Sequence, residues 1–158
     1  MLNKKAISNK EALLRVQQLC SVKENCKHDI KEKLLQWGLI ETDIEIIISK
    51  LVKNDFINEK RYAKFYVRDK YRFNKWGRIK IKYQLMQKHI PEELILSAYN
   101  EIDEKEYRKI LINELSKKYK TLKSNNKYDT KAKLVRYAAG KGFENELILK
   151  TIENIIKI

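Results

Sequence analysis

Apolar residues recur along the chain at helical intervals, and one block of them occurs three times. The stretch IKEKLLQWGLIETDIEIIISKL from Ile30 aligns with IKYQLMQKHIPEELILSAYNEI from Ile81 and with LVRYAAGKGFENELILKTIENI from Leu134. Ile30, Ile81 and Leu134 coincide, as do Leu34, Leu85 and Ala138, then Leu39, Ile90 and Phe143, then Ile44, Ile95 and Ile148, and last Leu51, Ile102 and Ile155. A step of four, then a break around the turn, then a step of seven predict two amphipathic helices joined by a short turn. A further helix precedes each pair, near residues 9 to 20, 58 to 72 and 104 to 119. The pattern therefore predicts an all-α fold: an elongated array of three tandem three-helix, helix-turn-helix-like units, spanning residues 1–56, 57–103 and 104–158. In such an array each unit buries apolar surface against its neighbour.

The turns carry their own chemistry. Gly38 and Gly142 take the same aligned place after a helix, where a left-handed residue closes the last turn. His89 replaces glycine in the middle unit, so that helix is expected to end differently. Glu41 and Asp43, Glu92 and Glu93, and Glu144 and Glu146 open the following helices, where carboxylates complement the positive end of the helix dipole. Pro91 suits a first helical turn. The segment KTLKSNNKYDTK, residues 120 to 131, reads as a polar, mobile loop inside the third unit.

Composition agrees with helices: of 158 residues 43% are hydrophobic, but only four are glycine and one is proline. No apolar run has the length of a membrane span, and the opening MLNKKAISNK lacks the apolar core of a secretory signal, so a cytoplasmic monomer with no membrane contact is expected. Cys20 and Cys26 read as reduced, inert thiols. His28 follows them closely, but no second ligand pair with finger-like spacing appears, so neither a metal nor another cofactor is expected. Catalytic motifs are missing too: there is no phosphate-cradling glycine loop, nucleophile elbow or HExxH pair. The acids near residues 92 to 106 suit helix starts as well as a metal-dependent nuclease. No enzyme activity is expected.

Charge changes the picture more. The net charge is +14, and residues 57 to 90 alone hold eleven bases and two acids. Residues 117 to 136 form a second basic zone, Lys117, Lys118, Lys120, Lys123, Lys127, Lys131, Lys133 and Arg136, opposed by Asp129 alone. The intervening residues 91 to 116 are net acidic. In the first zone Tyr62, Phe65 and Tyr66 fall at helical spacing and read mainly as core. That leaves Arg68, Lys70, Arg72, Lys75, Arg78, Lys80 and Lys82 as exposed bases without acidic partners, the expected contact with a polyanion or an acidic protein surface. Trp76 is placed either to plug the helix junction or to touch the partner.

The segment FINEKRYAKFYVRDKYRFNKWGRIKIKYQLMQKHI, residues 56 to 90, resembles the signature region of the RecX family, bacterial regulators of the RecA recombinase. The resemblance rests on Phe56, the pair Asn58 and Glu59, Arg61, Tyr62, Ala63, Tyr66 with Val67, Arg68, Gly77, Ile81 and Leu85, and the three-unit pattern extends it over nearly the whole chain. It implies a protein without enzyme activity that lies along the groove of the RecA filament on single-stranded DNA. There it would limit filament growth, ATP hydrolysis, strand exchange and co-protease activity, and so modulate recombination, repair and the SOS response. It adds Arg61 to the candidate contact residues, together with weak, non-specific DNA binding. The competing reading is a sequence-specific helix-turn-helix regulator of DNA, since three-helix units can lay a helix in a major groove; no helix is marked as a base reader.

Overall fold

In the computed structural model, which describes residues 7 to 156, those residues form nine α-helices and one 3₁₀ turn. The outer limits of the first and third units, residues 1 to 6 and 157 to 158, lie outside the described residues. Helices α1 (Asn9–Val22), α2 (Lys27–Gln36) and α3 (Glu41–Lys53) pack together. So do α4 (Glu59–Arg72), α5 (Arg78–Gln87) and α6 (Glu92–Ala98), the last continued by the 3₁₀ turn Tyr99–Glu101. The final triplet is α7 (Glu104–Thr121), α8 (Lys127–Gly140) and α9 (Asn145–Ile156).

The first helix of each triplet starts at a side-chain cap. Ser8, Asn58 and Asp103 each accept a hydrogen bond from the amide three residues on, at 3.2, 3.0 and 3.1 Å. Ser8 with Glu11 and Asp103 with Glu106 also have the residue types of a capping box. Asn126 caps α8 in the same way, accepting from the Asp129 amide at 2.9 Å. The loop expected at residues 120 to 131 is therefore shorter, because Lys127 to Lys131 already belong to α8.

The turn after the second helix is the same in all three units. Gly38, His89 and Gly142 all have positive φ, at 87, 58 and 93°. The next residue turns inward, with the Leu39, Ile90 and Phe143 amides donating to the Leu34, Leu85 and Ala138 carbonyls at 3.2, 3.1 and 3.2 Å. The middle helix thus does not end differently: buried Ile90 enforces the turn, and His89 bears a left-handed conformation that glycine adopts freely.

The apolar positions form two cores. One holds Ala12, Val16, Ile30, Leu34, Ile44 and Leu51 and belongs to α1 to α3. The other runs continuously from Tyr62 through Tyr71, Leu85, Tyr107 and Leu115 to Phe143 and Ile152. The second and third triplets therefore share one interior, and each large apolar side chain buried there contributes about 1.5 to 3 kcal/mol. A chain ending at residue 103 is expected to keep slow amide hydrogen exchange in α2 and α3 but lose it in α4 to α6. Equal protection of α4 to α6 in the full and shortened chains would show that the third triplet adds nothing to their core.

Candidate interaction surface

Five of the candidate contact bases in the first zone turn out to be occupied. Arg61 Nε lies 2.5 Å from Glu24 Oε1 and its Nη1 3.0 Å from Asp55, tying α4 to the end of α1. Arg68 pairs with Glu101 at 2.6 Å, Arg72 with Glu106 at 3.3 Å and Lys82 with Glu92 at 2.8 Å. The hydrogen bond from Arg68 holds the Glu101 carboxyl below the usual carboxylate range. Arg78 pairs with both Glu104 and Glu144, lies 4.3 Å above the Tyr107 ring and is only 19% exposed. The expectation that these bases lack acidic partners is corrected. Their acids come from the net-negative segment 91 to 116 and from Glu24, Asp55 and Glu144, brought in by packing rather than by sequence proximity.

Around Arg78 the second and third triplets close on each other. Gly77 donates to the Lys141 carbonyl at 2.8 Å and Ile79 to the Gly142 carbonyl at 3.0 Å. The Tyr107 hydroxyl accepts from the Arg78 amide at 3.1 Å and donates to Glu144 at 2.6 Å. Two of the free amides at the start of α5 are thereby satisfied by the neighbouring unit. Burial, then the bond to Glu144, raises the Tyr107 hydroxyl well above its ordinary pKa.

What remains free of the candidate bases in the first zone is compact. Trp76 is half-buried, packs on the shared core, and has two ammoniums over its ring: Lys70 Nζ at 4.9 Å and Lys80 Nζ at 4.6 Å from its centroid. Trp76 therefore plugs the junction and also frames two cations. Lys75 sits beside them in the left-handed turn before α5, with φ 59°. Neither Lys70, Lys75 nor Lys80 forms an ion pair among the described residues.

Lys70 also borders a cleft of about 770 Å³ between the end of α1 and α4, with Tyr66, Phe65 and Phe73 in its wall. Phe65 and Phe73 are 42% and 77% exposed. Phe65 is thus not core: Tyr62 and Tyr66 take the inward positions of α4, and Phe65 falls outside them. Sequence periodicity marked all three as one face, and only packing separates them.

The second zone lies at the end of α7 and along α8. Lys133 is paired with Asp129 at 3.0 Å, Lys118 lies 5.2 Å over the Tyr137 ring, and Arg136 Nε points to its own helix backbone at 3.4 Å. Lys117, Lys120, Lys123, Lys127 and Lys131 are exposed and unpaired among the described residues.

Two family models match this chain. RecX, second three-helix domain, covers residues 58–98, and RecX, third three-helix domain, covers residues 104–152. The chain belongs to the RecX family. A regulatory protein RecX from Clostridium perfringens is 31% identical over 118 residues, which are 73% of this chain and 55% of that protein. One from Clostridium beijerinckii is 29% identical over 94% of this chain and 68% of its own length. This chain thus spans little more than half of the C. perfringens relative. The crystal structure of a regulatory protein RecX superposes with a TM-score of 0.82, covering 95% of this chain and 73% of the other at 23% identity, and so shares the fold. RecX proteins are regulatory proteins, and no described helix is long and apolar enough to cross a membrane.

Proposed function

We propose that this protein binds the RecA filament on single-stranded DNA along its helical groove. There it limits filament extension, ATP hydrolysis, strand exchange and co-protease activity, and through these it modulates recombination, repair and the SOS response. Membership of the RecX family carries the reading. The free lysines around Trp76 and along α7 and α8 support it, because they offer cations to DNA phosphates or acidic subunit surface from two separate units. Weak contacts at several units add through multivalency, which suits a monomer built as an array on a repeating filament. The protein needs no catalysis and no cofactor for this role. Arg61, Arg68, Arg72, Arg78 and Lys82, all spent on internal acids, act chiefly by holding the surface in shape.

The experiment is a binding titration of labelled single-stranded DNA with and without assembled RecA. Tight binding is expected only with the filament. On naked DNA the affinity is expected to be weak and indifferent to sequence. It should fall roughly ten- to twentyfold between 50 and 200 mM salt if about three phosphates are contacted. A tight, salt-insensitive preference for one duplex sequence would replace this reading by the sequence-specific regulator.

A further inference from the structure

Helix α5 is apolar on two opposite sides. Ile81 and Leu85 are buried in the shared core, whereas Ile79, Tyr83 and Met86 are 57, 60 and 51% exposed. Steps of four and three put these last three on one stripe over successive turns, about 10 Å long at 1.5 Å per residue. Apolar residues exposed singly are ordinary on a protein surface, but a helix with apolar residues on both sides is normally covered on both. The fold does not require the stripe. The repeat that aligns Ile81 with Ile30 and Leu134 aligns Ile79, Tyr83 and Met86 with His28, Glu32 and Leu35 in the first unit and with Ala132, Arg136 and Ala139 in the third. Those units build the same helix and the same turn with a charged residue at the middle position.

We propose that the stripe of Ile79, Tyr83 and Met86 is the centre of a protein-binding surface, and that its occupant is an apolar patch edged by carboxylates on a subunit of the filament. The inference rests on the filament reading above and adds that the middle unit meets protein, not DNA, along α5. The residue types support this choice. A nucleic acid offers phosphates to cations and bases to aromatic rings, so isoleucine and methionine gain little from it. Tyrosine and methionine are instead enriched at the centres of protein interfaces, with charged residues left to the rim.

The rim sets the sign of the partner. Helix α5 carries no acid; Lys80 and Lys82 flank the stripe on opposite sides, and Lys75 sits in the turn before it. Lys82 is held by Glu92, whereas Lys75 and Lys80 form no ion pair among the described residues and are left to meet carboxylates from outside. The same rim argues against a second copy of this chain. A two-fold contact through the stripe would set its lysines against their own copies, on a chain whose net charge is already +14.

The test uses the full chain with RecA assembled on labelled single-stranded DNA. Tyr83 replaced by the photo-crosslinking residue p-benzoylphenylalanine should give an adduct with a RecA subunit on irradiation. An adduct with the labelled DNA alone, with a second copy of this chain, or with nothing would overturn the inference. The triple change Ile79→Gln, Tyr83→Gln and Met86→Gln should melt close to the parent, since the three positions are exposed and glutamine is a good helix former. Its affinity for the filament should fall at least tenfold, as truncation at the centre of an interface does. Its affinity for naked single-stranded DNA should stay within about twofold of the parent's, because phosphate contacts belong to the lysines. A triple variant that binds the filament as the parent does sinks this inference alone. A parent chain that shows no preference for the filament over naked DNA sinks the proposed function, and the stripe's assignment with it.

Discussion

Gly142→Ala is expected to lower stability by roughly 3 kcal/mol or more, which for a chain of this size means a melting temperature lower by about 6 to 12 °C. Two costs coincide at this position. The residue has φ 93°, which alanine adopts only under strain. A methyl group there would stand 2.3 Å from Lys80 Cβ and 2.5 Å from the Lys80 backbone nitrogen, neither of which can swing away. Gly77→Ala isolates the second cost. Its φ is an ordinary −83°, but its Cβ would lie 2.3 Å from the Gly142 carbonyl carbon and oxygen. Relief would require parting the Gly77 to Lys141 and Ile79 to Gly142 hydrogen bonds that join the second and third units. Gly140→Ala is the control. It ends α8 with nothing within 4 Å of an added Cβ, so alanine there should be neutral or stabilise by up to about 1 kcal/mol. Thermal unfolding followed by circular dichroism separates the three. A Gly142→Ala protein that melts with the parent would mean that the two units do not approach this closely in solution.

That seam marks where sequence reading stops. The repeat of apolar positions was sufficient to locate nine helices and three turns, because side-chain period and turn chemistry are local properties that each segment expresses on its own. Even the middle turn obeyed the repeat rather than its own residue: buried Ile90 outweighed the missing glycine. The charge pattern was legible only as totals. The basic run 57 to 90 and the acidic run 91 to 116 looked like separate surfaces, whereas folding brings Glu101, Glu104 and Glu106 onto Arg68, Arg78 and Arg72. Periodicity within one helix cannot reveal a partner on another. The same limit hid the meeting of His28 and His89, which depends on how the first unit docks against the second. The candidate surface is consequently smaller than the sequence suggested, and its free members are lysines where most of the paired ones are arginines. A planar, forked guanidinium suits a fixed pair with a carboxylate, and an ammonium on a flexible stem suits a solvated contact.

This division yields opposite outcomes for two sets of charge reversals. Changing Lys70, Lys75 and Lys80 together to glutamate is expected to leave the fold intact, since none is ion-paired among the described residues. The loss is confined to the ammonium contacts of Lys70 with the Tyr66 and Trp76 rings and of Lys80 with the Trp76 ring, worth about 0.5 to 1 kcal/mol each at exposed sites, and to the hydrogen bond from Lys75 Nζ to the Arg72 carbonyl. Affinity for the filament should fall roughly a hundredfold or more, because three attractive contacts become like-charge clashes with an anionic partner. Inhibition of RecA-driven ATP hydrolysis and strand exchange should disappear with it. Arg78→Glu should do the reverse. It would set a third carboxylate against Glu104 and Glu144 at a position only 19% exposed, and should destabilise the protein by about 3 to 5 kcal/mol before any binding is measured. Glutamates at Lys10, Lys33 and Lys150 alter the net charge by the same amount as the triple reversal. They lie outside both basic zones, on exposed positions of α1, α2 and α9, and should preserve both fold and inhibition. If the Lys70, Lys75 and Lys80 reversal melts like the parent and still inhibits strand exchange at the parent's concentration, the cluster around Trp76 is a solvated face, and the exposed lysines of α7 and α8 become the surface to test.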